Sequence, residues 1–364
     1  MYRCDLSDKF LTRAETDLFR PFLASCHVDE AIWPVFESFF QSATKSTKPL
    51  IVRVYDESGL CGAAIIVRCK RYGHSLFNNR FLAGLIDSAR IPFYMWIKYG
   101  CCMDMMSNPG FVADPRKSVE VHNAIIHYLN RKCMSFMVYD YAANSSLYEN
   151  ATVYPSPPHA LIDTSQMLSV EDYLSLHKNI KKKMNIFQKN GGTFEIIEHR
   201  LGQNDLDSVK KCFLMTAEKS LFYLPYQDLY LQSALRTSAK PLEQIYYFIA
   251  RLNGEFLGYQ AAIKTGKCLN ALHGAFDRER KTTFHAYDLL FAQMTEFAIN
   301  NGLNSIDFGS VINTTKQRAV NRIIDLSYYI FSNSRIFRAV LNNMLKSSKM
   351  LSYDQLKFTE SISV

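Results

Sequence analysis

Arg278, Arg280 and Lys281 place three cations within four positions, just ahead of a stretch that reads as a helix. The exposed N–H groups and positive dipole end of a helix N-terminus favour a phosphate, and flanking cations strengthen the attraction. Thr282 and Thr283 add hydroxyl donors; the alternative is a solvated turn whose charge Glu279 partly balances. A second basic group, Lys178, Lys181, Lys182, Lys183 and Lys189, lies on a helical stretch with no acid among its members. Such a face either docks phosphates, with Lys181 and Lys182 as its substrate-facing members, or is simply solvated. Lys316, further on, either holds an acidic substrate group or is exposed.

Proton carriers are fewer. His273 sits in an apolar strand, where a neutral imidazole either accepts a proton from an amine or is a hydrogen-bonded core residue. Asp307 ends a short strand and could act as a base or orient an amine; otherwise it caps the turn at Gly309. Tyr287, one turn into a helix, either protonates a leaving thiolate or packs. Cys101, Cys102, Met103, Met105 and Met106 cluster, but without His or carboxylate partners in a ligand pattern, so core packing is expected and no metal. No Ser-His-Asp or Cys-His nucleophile pattern is visible.

These groups need a scaffold, and the chain is long enough to build one. At roughly 150 residues per domain, 364 residues correspond to about two domains. With 48% hydrophobic and 21% charged residues, 15 Gly and 11 Pro, the bulk is folded rather than disordered. Forty-two basic against 34 acidic residues give +8, which suits acidic ligands and falls short of a dedicated DNA binder. No apolar run approaches the roughly 18 residues of a membrane span, and no apolar segment follows Met1 as in a secretory signal. Nine scattered Cys with no C-x-x-C pair read as reduced thiols. A cytoplasmic location is expected.

Hydrophobic periodicity predicts a helix over 31–42, a hairpin from strands 50–55 and 60–69, a helix over 119–130 and a strand over 135–139. No period fits 93–111. The breaker-rich stretch 144–159, with Pro155, Pro157 and Pro158, marks a domain boundary. Beyond it a strand over 160–163 precedes one long helix from Ser169, with Tyr173, Leu176, Ile180, Met184 and Phe187 on one face, closed by Gly191 and Gly192. Next come a strand (193–198), a helix (205–220), a second helix after Pro225, and a three-strand meander over 244–252, 256–264 and 268–276, turned at Asn253-Gly254 and Thr265-Gly266. A helix over 284–300 and a strand over 305–308 follow. This order fits an α+β domain with a partly parallel sheet.

The meander, basic loop, helix and final strand resemble the GNAT acyltransferase domain. Leu176-His177-Lys178 through Lys183, then Phe187 to Thr193 with its Gly-Gly, is similar to the opening of the CelD/BioF-like acetyltransferase branch, a relative of the FemAB peptidyl transferases. Asn301-Gly302, Ile306-Asp307-Phe308-Gly309 and Lys316 resemble its closing segment. The resemblance covers residues 160 to 320 well, and residues 31 to 140 more loosely as a degenerate first copy. It implies two GNAT-like domains in tandem: 1–155 degenerate, 156–320 catalytic, and a helical tail over 321–364.

The resemblance further implies an N-acyltransferase that uses acetyl-CoA or another acyl-CoA as co-substrate, bound where the fourth strand and the strand after the crossover helix part. The phosphates would lie by Arg278, Arg280, Lys281, Thr282 and Thr283, and the backbone around Gly274 and Ala275 would polarise the thioester carbonyl. The family loop is usually Gly-rich, whereas Lys281 to His285 contain no Gly. FemAB-like relatives lack the full Gly-rich loop too and use aminoacyl-tRNA, which makes tRNA the alternative donor. The implied acceptor is a small-molecule or sugar amine of a cell-envelope polysaccharide precursor. A non-catalytic binding module is the third reading. The basic tail admits a peripheral membrane contact.

Overall fold

The structure, a computed structural model, describes residues 2–26, 28–70, 80–90, 92–97, 110–133, 135–155, 159–218, 233, 236–237, 242–277, 286–310 and 319–333. Its strands are β1 (Arg3–Ser7), β2 (Thr47–Asp56), β3 (Gly59–Cys69), β4 (Phe93–Ile97), β5 (Phe111–Ala113), β6 (Ser135–Tyr141), β7 (Thr152–Pro155), β8 (His159–Asp163), β9 (Gly192–Glu198), β10 (Ile245–Leu252), β11 (Glu255–Thr265), β12 (Cys268–Phe276), β13 (Ser305–Ser310), β14 (Arg322–Ile324) and β15 (Leu326–Ser332). The helices are α1 (Arg13–Phe19), α2 (Trp33–Gln41), α3 (Arg80–Ala89), α4 (Ser118–Lys132), α5 (Val170–Leu176), α6 (Lys178–Lys189), α7 (Gln203–Glu218) and α8 (Ala286–Asn300).

Two mixed sheets result. The first runs β1-β2-β3-β4-β6-β15-β7 with β5 beside β3; the second runs β14-β8-β13-β12-β11-β10-β9. The chain passes from one to the other between Pro155 and His159. The sheets repeat one plan. An antiparallel hairpin (β2-β3, β10-β11) adds a further antiparallel strand, and a crossover helix (α4, α8) then returns a parallel one (β6 on β4, β13 on β12). This is an α+β fold of two GNAT-like units in tandem.

Local chemistry explains the elements that frame the site. Asn253 and Gly254, at φ 51° and 81°, make the tight two-residue turn between β10 and β11. Gly302, at φ 62°, lets the chain leave α8, with Leu303 N–H returning to Ala298 O at 2.8 Å. Side chains from both sheets, among them Phe36, Phe39, Ile65, Tyr247, Tyr259 and Ile263, share one buried cluster. A second cluster lies between the second sheet and α5, α6 and α8, and a third lies under α4.

Two expectations change. The helix from Ser169 is two helices, because His177 leaves the helical region at φ −118° and ψ 59°. The break resets the phase, so Tyr173 and Ile180 are buried while Leu176 is 66% exposed. The tail is not helical where it is described: β14 pairs with β8, and β15 inserts between β6 and β7. Tyr329 and Phe331 share one face, as residues two apart in a strand must, and stack on Tyr148 and Phe136. The helix expected after Pro225 and the Cys101 to Met106 cluster lie outside the described residues. Among the described residues no helix is long and apolar enough to cross a membrane, and no group of three His, Cys, Asp or Glu could hold a metal.

Candidate active site

The second sheet forks between β12 and β13. They pair in parallel only from Cys268–Asn270 to Ser305–Asp307. Beyond that point β12 continues along β11, while Ser310 of β13 pairs with His159 of β8. Ala271 to Phe276 therefore present a backbone edge with no strand on the β13 side among the described residues. A bulge sharpens the divergence. Ala262 faces Ala271 and Ala261 faces His273, which leaves Leu272 as the extra residue, and such insertions bend a strand and re-aim its side chains.

Asp307 stands at the crotch of this fork. Ile306 and Phe308 belong to the core under α8, so alternation sends Asp307 to the opposite face. His159 alternates in the same way with Ala160 and Ile162 and meets it there. His159 Nε2 and Asp307 Oδ1 are 2.5 Å apart, both side chains are buried, and the same Oδ1 accepts the Gly309 N–H at 2.8 Å. The carboxyl is thus held in place from two directions, one of them 148 residues away in sequence.

His273 lies on that face too, beyond the bulge. Its Nδ1 is 2.8 Å from the Tyr259 hydroxyl, and its ring meets Phe213 of α7 edge-on. Burial pulls its pKa down to about 3, so the imidazole is neutral near pH 7 and a weak base. Gly274 has no room for a side chain: a Cβ would come within 2.2 Å of Gln260 Oε1 and 2.9 Å of Tyr259 O. Ala275 is buried against the inter-sheet core. Tyr287 stands in the first turn of α8 with its ring 4.0 Å from that of Phe276 and 5.8 Å from that of Phe291.

Two of the basic residues on α6 are engaged. Lys181 pairs with Glu171 at 2.6 Å, and Lys183 pairs with the buried Asp288 in the first turn of α8. The second contact bears on the fork, since an unpaired acid there would repel any anion at the helix N-terminus. Lys182 is exposed. Arg278, Arg280, Lys281, Thr282, Thr283 and Lys316 lie outside the described residues. The structure thus gathers Asp307, His273, Gly274, Ala275 and Tyr287 around β12 and β13, with Lys181 and Lys182 on the helix beside them.

Sequence reasoning missed His159, since a His beginning a short strand after a proline run carries no local signal. It also missed a buried set in the first half. There the Tyr148 hydroxyl donates to Asp140 Oδ2 at 2.5 Å and lies 3.2 Å from His122 Nε2, and burial beside Asp140 drives the Tyr148 pKa far up. Asp140 lies in the parallel strand that follows its crossover helix, as Asp307 does in the second half.

Residues 175–314 match the family model described as an acetyltransferase (GNAT) domain. No curated protein matches the sequence. Among solved structures, L-PGS from Bacillus licheniformis aligns with a TM-score of 0.57 at 9% identity, covering 90% of this chain and 96% of that one. FemX aligns at 0.54 and 11% identity, covering 93% and 100%. A tandem GNAT protein from the clavulanic acid biosynthesis pathway aligns at 0.51 and 10%, covering 91% and 99%. At such identities the likeness is one of fold.

Proposed function

We propose, for a chain whose residues 175–314 match the acetyltransferase (GNAT) domain model and whose fold is that of a tandem GNAT protein, the activity of an N-acyltransferase. Its donor is an acyl thioester, acetyl-CoA or another acyl-CoA, and its acceptor is the amine of a small molecule or polysaccharide precursor. The observation that carries this reading is the fork. It offers the parting of β12 from β13, a bulge and a glycine on β12, next to a fixed carboxyl on β13 and the first turn of α8. An acyl carbonyl lying beside Gly274 would meet its main-chain N–H on the side away from β11, and such a donor stabilises an oxyanion because it is already oriented.

The amine attacks the thioester carbon, forming the C–N bond. The amine proton passes to the Asp307–His159 pair, the C–S bond breaks, and the thiolate leaves with a proton. Tyr287, in the first turn of α8, supplies that proton in this reading. His273, neutral and weakly basic, serves better as a wall of the acyl site than as the base. The residues over 156–320 form the catalytic half in this reading, and those over 1–155 the degenerate copy.

Calorimetric titration with acetyl-CoA and free CoA tests the donor. Micromolar binding weakened by Arg278→Ala with Arg280→Ala is expected. Absence of binding at millimolar ligand overturns the thioester donor and turns the search to aminoacyl-tRNA, the donor that the FemAB-like resemblance implies. For the chemistry, Asp307→Asn keeps the shape of the carboxyl, so kcat should fall roughly 10²- to 10⁴-fold with the donor KM little changed. An unchanged kcat removes Asp307 from the mechanism.

A further inference from the structure

Helix α6 carries five Lys and no acid, and its contacts divide them into two sets. Lys181 and Lys183 are neutralised by Glu171 and Asp288. Lys178, Lys182 and Lys189 are exposed and meet no carboxylate among the described residues. At 3.6 residues per turn, Lys178, Lys182, Asn185, Ile186 and Lys189 fall on one stripe. Ile180 and Phe187, on the opposite side, are buried against the second sheet and hold the helix down. The stripe is therefore a fixed outward face of positive charge with an aliphatic residue within it.

Exposed aliphatic residues occur beside it, together with the exposed acids Glu171 and Asp172 of α5, of which Glu171 is paired to Lys181. Ile186 is 43% exposed, Leu176 at the end of α5 66%, and Leu168 just before α5 92%. These side chains leave apolar surface next to the lysines that is open to an interface. The stripe has no Arg and no aromatic residue, the groups that stack on nucleic-acid bases. Lysines that neutralise phosphates beside short aliphatic side chains that enter the acyl boundary are the combination that an anionic lipid surface rewards.

We propose that the outward face of α5 and α6 docks the protein on an anionic lipid surface through Lys178, Lys182 and Lys189, with Ile186, Leu176 and Leu168 entering the interface. The Lys183–Asp288 pair joins α6 to the first turn of α8, so a surface held by this face lies about one helix diameter, roughly 10 Å, from the end of the fork. The inference does not depend on the reaction catalysed, and binding alone tests it.

The experiment is flotation of the full chain with vesicles of phosphatidylcholine, and of phosphatidylcholine and phosphatidylglycerol in equal parts, at low and high salt. Circular dichroism checks that each variant is folded. Wild-type protein should float with the anionic vesicles only, and less at high salt. Lys178→Gln, Lys182→Gln and Lys189→Gln together should weaken that binding on the order of a hundredfold. Ile186→Gln with Leu176→Gln should weaken it at unchanged charge, whereas Lys181→Gln should have little effect. Flotation that is absent, or that survives the triple variant, overturns the proposal. So does a triple variant that loses affinity for bulk transfer RNA while still floating, which would assign the face to nucleic acid.

Discussion

A buried imidazole and a buried carboxyl share one face of the second sheet, and their surroundings set them apart. His273 has a phenol and apolar rings around it, and burial holds it neutral. Asp307 has an imidazole and a main-chain N–H. The first arrangement has a pH signature. In the unfolded chain a histidine takes up its proton near pH 6.5, whereas His273 in the folded protein does so only near 3. Between those values the unfolded state binds the extra proton. This group's contribution is then lost as pH falls, by about 1.4 kcal/mol per pH unit. His273→Gln keeps a partner for Tyr259 and removes the titration. Urea melts from pH 7 to 4 should therefore show a flatter stability profile for the variant than for wild type. Parallel profiles would mean that His273 is solvated in solution.

Among the elements, the junction from α6 into β9 has the tightest steric demand. Gly191 stands at φ 81°, and a Cβ there would reach Asn253 Oδ1 at 2.1 Å; a Cβ on Gly192 would meet the Phe187 ring at 2.5 Å. Phe187 is fully buried and packs on Phe194, so the ring has little freedom to yield. Gly192→Ala should destabilise the fold by about 1–3 kcal/mol, the usual result of overpacking, seen as a lower urea midpoint with unchanged slope. An unshifted midpoint would show that the ring can move aside. The same junction sets the angle at which α6 crosses the sheet, and so where its lysines lie. The break at His177 has the opposite effect, turning Leu176 outward.

In the molecule as a whole, the last described strand, β15, returns to the first sheet after the second has been completed, pairing with β6 over seven positions. The two sheets also share one apolar cluster. Neither can lose its order without exposing the other, so unfolding should be a single transition. Both Trp residues, Trp33 and Trp96, lie in the first half, whereas far-UV circular dichroism samples both sheets. Fluorescence and circular dichroism melts should coincide. A fluorescence midpoint separated from the dichroism midpoint would mean that the halves unfold independently.

The meander, the crossover helix and the Gly-Gly junction were legible because each rests on neighbouring residues. Asn253-Gly254 needs only its own dihedral freedom to form a hairpin, and α8 is closed by its own Asn301-Gly302. The resemblance of 176–193 and 301–309 to the GNAT acyltransferases was local in the same sense. The partner of Asp307 was not legible, since His159 reaches it only after β8 and β13 are laid side by side. The burial that suppresses the charge of His273 required Tyr259 of β11 and Phe213 of α7 to pack around it. The fate of the tail was decided in the same way. A run of consecutive aromatic and apolar residues such as Tyr328 to Phe331 does not by itself choose between helix and strand, and here it becomes a strand because an open position lies between β6 and β7. Local periodicity specifies elements, whereas burial, register and partners separated by more than a hundred residues are properties of the packed sheets alone.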